Sequence, residues 1–315
     1  MQTKKSLSLL IFLSLFIASS GFALDQEIIP SKPHADLEDE LIKSNLYISR
    51  FVDNMADGLD LFLAGKQYTT AQNPTSVTLE SWLYYSEKEA FKEDFAFNLN
   101  LRLPNLEEYW QVTFTNYDET AERGVAQTYI RTQPRTKDYG ASVGFFTQLG
   151  EVKTTFQPRV SFSGWLKISH TLTFESIVQR GKNYRINPKL QFYADADQGT
   201  GSFQGLNFNF VLSKYYNLTL VNEGDYQGRD HNYNVTNGIA VGQWFSSTSN
   251  ISYNMFANFT NRPNYQLTAF SLSTSFSQIL YKNILDYQVV PNLSWAEKHG
   301  YAANPGINMR VSLKF

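Results

Sequence analysis

The chain has 315 residues, four histidines and no cysteine, which limits the chemistry it can carry. Cysteine is absent as nucleophile, metal ligand, disulfide partner and lipid attachment point alike. The histidines are His34, His170, His231 and His299. Ser169 and His170 form a nucleophile–base pair only on paper. Adjacent residues of a strand point to opposite faces, so their side chains cannot meet. No Ser-x-x-Lys, Gly-x-Ser-x-Gly or His-Glu-x-x-His spacing occurs. What remains is acidic: Asp195 and Asp197 in one connection, Asp230 and His231 in another. Two carboxylates and an Asp–His pair at one rim could activate a water, provided the groups come within hydrogen-bond reach of it. The plainer reading is turn chemistry, since Asp and Asn favour tight turns. Asp195-x-Asp197-x-Gly199 also echoes the start of a calcium loop, but the closing bidentate acid is missing. No catalytic residue, metal site or cofactor is therefore assigned.

These residues sit between segments of a very regular kind. From about residue 76 onward, apolar and polar residues alternate with period two. Phe95, Phe97, Leu99 and Leu101 oppose Ala96, Asn98, Asn100 and Arg102. Later, Phe156, Val160 and Phe162 oppose Gln157, Arg159 and Ser161. Fourteen such runs begin near residues 76, 94, 108, 138, 153, 170, 185, 202, 217, 232, 250, 264, 283 and 304. The number falls to twelve if two neighbours form one strand. Short and long connections alternate, with 118–137 the longest surface loop and the one near 168–170 unusually short. Aromatics gather near strand ends (Trp110, Tyr139, Tyr215, Tyr216, Trp244, Phe245, Tyr281, Trp295, Phe315). Aromatics make up 15% of a chain whose mean hydropathy is −0.34. Strands with one apolar and one polar face reconcile those two figures.

The two ends add direction. Lys4 and Lys5, the apolar run Leu9–Ile17 and the small residues Gly21 and Ala23 read as a signal peptide cleaved near Ala23. Its removal takes two lysines from a balance of 27 basic and 29 acidic residues. No basic excess invites nucleic acid. At the other end, Ile307, Met309, Val311, Leu313 and Phe315 share one strand face. The chain stops on that Phe.

With this closing strand, the chain resembles Gram-negative outer-membrane β-barrels of the porin-like kind. The resemblance implies an all-β, antiparallel transmembrane barrel of about fourteen strands over residues 76–315. It also implies outer-membrane lipid around the barrel and the barrel assembly machinery as a partner reading Phe315. A signal peptide (1–23) and a periplasmic segment (24–75) precede the barrel. Within that segment, 24–40 reads as extended. Ile48, Phe51, Val52, Met55, Leu59 and Phe62 recur at helical spacing, giving an amphipathic helix over about 41–64 that packs on the barrel rim. The expected lumen lining includes Arg102, Gln111, Arg159, Glu175, Lys189, Asp286, Arg310 and Lys314. This mixed set suits a weakly selective channel for small hydrophilic solutes, with a modest anion preference. The alternatives are a closed barrel acting as anchor or adhesin, or a surface hydrolase. The Asp195, Asp197, Asp230 and His231 set is similar to the two-loop acidic site of the omptin family. There Asp and His are spaced by one residue, whereas here they are adjacent.

Overall fold

A computed structural model describes residues 33–64, 75–102, 110–131, 133–179, 183–281 and 284–315. The signal-peptide reading lies outside these residues. Two units are distinguished, 1–40 and 41–315. Of the first, residues 33–40 are described, and they form the start of helix α1 (Pro33–Ala64). The helix begins eight residues before the apolar periodicity does. Pro33 suits a first helical turn, where its missing N–H costs nothing. Gly58 lies within the helix and does not break it.

The second unit is a β-barrel. Its strands are β1 (Ser76–Ser86), β2 (Glu89–Arg102), β3 (Trp110–Tyr117), β4 (Lys137–Leu149), β5 (Val152–Phe162), β6 (Leu166–Ser176), β7 (Val178–Gln179), β8 (Tyr184–Asp195), β9 (Gly199–Val211), β10 (Tyr216–Gln227), β11 (Asn232–Trp244), β12 (Ser249–Thr260), β13 (Gln266–Leu280), β14 (Leu285–Ala296) and β15 (Asn304–Lys314). Every pairing is antiparallel. The two-residue β7 continues β6 after a break at Ile177, and both pair with β8. The wall therefore has fourteen staves. It closes where β1 meets β15, from Thr78 opposite Lys314 to Ser86 opposite Gly306. Among the described residues every stave pairs with a neighbour on each side, which is how a barrel avoids edge-to-edge association. Phe315 completes the seam by exchanging two backbone hydrogen bonds with Val77, at 3.0 and 2.9 Å.

The alternation sorts the faces as expected. Outward positions pair apolar with apolar, as in Leu79 opposite Phe97 and Leu99 opposite Phe114. Phe95, Phe156, Val160, Phe162, Ile168, Phe192 and Leu206 are exposed on that surface. Two boundaries differ from the sequence reading. β2 starts at Glu89, because a tight turn at residues 87–88 lets the strand run on through Phe91. The β5–β6 turn falls at 163–165, around Gly164 at φ 87, so Ile168 and His170 lie inside β6.

An infolded loop and the charged lattice that holds it

The connection Asp118–Thr136 between β3 and β4 does not form the expected surface loop. It holds a 3-10 turn (Glu119–Ala121) and a one-turn helix, α2 (Ala126–Tyr129). Arg135 pairs with Glu80 of β1 at 2.8 Å. The Asn308 amide of β15 donates to the Arg131 carbonyl at 2.7 Å. On the far side of the ring, Lys189 of β8 donates to the Arg123 carbonyl at 2.8 Å, and Arg123 pairs with Asp225 of β10 at 3.3 Å. A segment that touches β1, β15, β8 and β10 of a closed ring can do so only by crossing its interior. The face carrying Glu80, Lys189 and Asp225 is thus the inner one.

The crossing starts at Arg159 of β5, which is 1% exposed. Its guanidinium donates to Glu119 Oε2 (2.6 Å), Thr115 Oγ1 (2.8 Å) and the carbonyls of Tyr117 (2.9 Å) and Asp138 (2.7 Å). Those acceptors lie on both shoulders of the loop, so one side chain ties its entry to its exit. Gly140 leaves the space: a Cβ there would lie 2.7 Å from Arg159 Nη2. The middle of the loop docks on Glu223, whose carboxylate accepts the Val125 N–H at 2.7 Å and the Asn207 amide at 3.1 Å. Gly124 sits so close to this carboxylate that a Cβ would collide with it.

On the seam side, charges alternate in a chain. Asp286 accepts from Lys314 and Arg310, both at 2.8 Å. Arg310 also faces Glu80 at 3.7 Å, Glu80 binds Arg135, Arg135 binds Glu122 at 2.7 Å, and Glu122 binds Arg131 at 2.6 Å. Burial works against the charge on Arg135, yet the hydrogen bond and charge of Glu122, with Glu80 beside it, raise its pKa above the usual arginine value. The cations also lie over rings: Arg123 over Tyr193 at 3.6 Å and Arg135 over Tyr117 at 4.3 Å. In a site shielded from water such contacts exceed the value of exposed ones.

The loop separates two spaces. On the side of the β1–β2 turn, a cavity of 390 Å³ is lined largely by neutral groups, among them Gln127, Gln133, Asn258, Asn292 and Asn308. The buried Tyr84 hydroxyl at its wall has no hydrogen-bond partner among the described residues. Toward the β4–β5 turn lies a second cavity of 730 Å³, bordered by Lys153, Glu175, Lys189 and Glu223.

Most of the residues expected to line the lumen meet in this lattice. Arg159, Lys189, Asp286, Arg310 and Lys314 belong to it. Glu175 faces Lys153 at 3.5 Å beside the larger cavity. Gln111 donates to Asn100 at 2.8 Å, and Arg102 is exposed at the end of β2. Sequence reasoning missed Glu119, Glu122, Arg123, Arg131, Arg135, Glu223 and Asp225 as members of these contacts. The available signal was a long loop with three arginines opposite acids set into the polar faces of distant strands.

The residues of the hydrolase alternative take other partners. Asp195 caps its own turn, accepting the N–H groups of Asp197 and Gln198, both at 2.7 Å, with Gly199 at φ 75 closing it. That is the local geometry an Asp-x-x-x-Gly hairpin favours. Asp197 pairs with Lys167, His231 Nδ1 meets the Tyr226 hydroxyl at 3.1 Å, and Asp230 is exposed.

No known protein family and no curated protein matches the sequence. Among solved structures, the chain is similar to the outer-membrane expressed OmpT of Vibrio cholerae (5% identity, TM-score 0.47, 79% of this chain and 100% of that one). It is also similar to a bacterial polysaccharide outer membrane secretin (11%, 0.45, 78% and 99%). A KdgM porin in complex with disordered oligogalacturonate aligns at 7% identity and TM-score 0.37, over 76% and 99%. Function is argued from the site instead, because fold alone does not fix it.

Proposed function

We propose that this protein is an outer-membrane channel for small hydrophilic solutes whose passage is narrowed by the infolded loop 118–136. The observation that carries the reading is a closed barrel with apolar side chains exposed outward and a polar, ion-paired interior crossed by one loop. An exposed apolar wall has no stable place in water but matches acyl chains. Fourteen staves are wide enough to leave space beside a single crossing segment. The cavities on either side support a route that the loop constricts without filling. Most inner cations pair with an acid, so the lattice supports weak ion selectivity. The loop and the strands it docks on add Glu119, Glu122, Glu223 and Asp225 against Arg123, Arg131 and Arg135, which reduces the basic excess expected from the strand residues alone.

The test is single-channel conductance in a planar bilayer, comparing the full protein with a variant in which residues 120–134 are replaced by a short glycine linker. The wild type should conduct, and the variant should conduct several-fold more. Absence of conductance in both would overturn the channel reading in favour of an anchor.

A further inference from the structure

The described face of α1 that lies on the barrel covers its outer wall. Val52 and Ala56 are buried in one cluster with Leu101, and Ile48, Val77, Leu99, Val112 and Phe114 pack around them. Those strand residues belong to the outward face of β1, β2 and β3, near the rim where both ends of the barrel chain lie. The Asn45 amide donates to the Lys314 carbonyl of β15 at 2.6 Å. The helix therefore travels across the wall from β15 over the β1 seam toward β3.

Over residues 50–57 its other flanks differ. Helical geometry advances about 100° per residue. With Val52 at the centre of the covered stripe, Met55 and Phe51 fall about 60° and 100° to one side, and Asp53 and Asp57 about 100° and 140° to the other. Phe51 is 61% exposed and Met55 41%. Arg50 and Asn54, roughly opposite the wall, are exposed as well. Chirality decides which flank faces which rim. Val77 points outward and exchanges both hydrogen bonds with Phe315. Seen from outside with the terminal rim below, β15 therefore lies to the right of β1. A right-handed helix running right to left on that wall turns Met55 and Phe51 upward, over the exposed apolar belt. It turns Asp53 and Asp57 downward, past the rim.

We infer that α1 is an in-plane membrane helix: it lies at the periplasmic surface of the bilayer, with Phe51 and Met55 among the acyl chains and Asp53 and Asp57 in water. The occupant of the exposed apolar flank is lipid, because that flank continues the apolar wall beside it. Side chains split in this way are the mark of helices that lie in the interface. The helix also covers the seam between first and last strands. This inference rests on the membrane reading above.

The protein lacks cysteine, so single fluorophores can be placed uniquely. Phe51→Cys, Met55→Cys and Asn54→Cys would each carry an NBD label in lipid nanodiscs, with Phe156→Cys on the barrel wall as reference. Doxyl-labelled phospholipid and iodide serve as quenchers from the acyl region and from water. Labels at 51 and 55 should be quenched at least twofold more by the lipid quencher than the label at 54, with the order reversed for iodide. Equal iodide access at 51, 55 and 54, with 156 still lipid-quenched, overturns the helix placement alone. Iodide quenching at 156 overturns the membrane reading beneath it.

Discussion

Arg159 shows how one side chain can fix a loop inside a barrel. Its charge is buried, and its acceptors are the carboxylate and carbonyls at both ends of the loop. Removing one partner of such a group strands the other charges without water. Arg159→Ala should therefore cost about 3–5 kcal/mol, measured as a shift in urea unfolding from vesicles. Arg159→Lys keeps the charge but loses the fork that spans several acceptors, so it should recover only part of that loss. A wild-type unfolding midpoint for Arg159→Ala would mean the lattice contributes little. The same position also marks what one sequence can reveal. Alternation places Arg159 on the polar face, whereas its partners lie up to 44 residues away and are invisible to any local pattern.

At the scale of elements, the loop does not take the surface place expected of it, and the helix lies against the outer wall near the rim. The apolar stripe of α1 has no counterpart on a polar lumen, so it covers the outer wall, and the charged loop enters the barrel instead. Loop docking depends on backbone approach at Gly124 beside Glu223. Gly124→Val should push the loop away from β10 while leaving the strands intact. The expected outcome is a larger, noisier conductance with unchanged heat-modifiable mobility on gels. Conductance identical to wild type would show that the loop does not define the constriction. The strands were legible because each repeats its pattern over 8 to 15 residues. The loop was not, because a polar loop reads alike whether it meets water or a hydrated interior.

For the molecule as a whole, two expectations follow. The barrel closes through β1 and β15, and Phe315 pairs at the seam with Val77. Deleting Phe315 should lower the amount of assembled barrel in the outer membrane and leave protein open to periplasmic proteases. Normal outer-membrane levels of the truncated chain would count against Phe315 as the assembly signal. The paired charges inside lead to the second expectation. Reversal potentials across a potassium chloride gradient should lie close to zero, since no ring of one sign lines the route. Strong selectivity of either sign would place the constriction elsewhere.

The sequence alone determined the all-β class, a strand number of about fourteen with twelve left open, which face of each strand is apolar and the presence of one amphipathic helix. Each of these is written in residues close together, through a period of two or of 3.6. Glu80 is one polar residue on one strand face, and Arg135 is one cation in a long loop. Nothing local distinguishes them from solvated neighbours. Only the tertiary structure decided that they meet and that Leu101 is covered from outside by Val52 and Ala56. Ring closure brings together side chains far apart in the chain, and buried charges then find the only partners able to replace water.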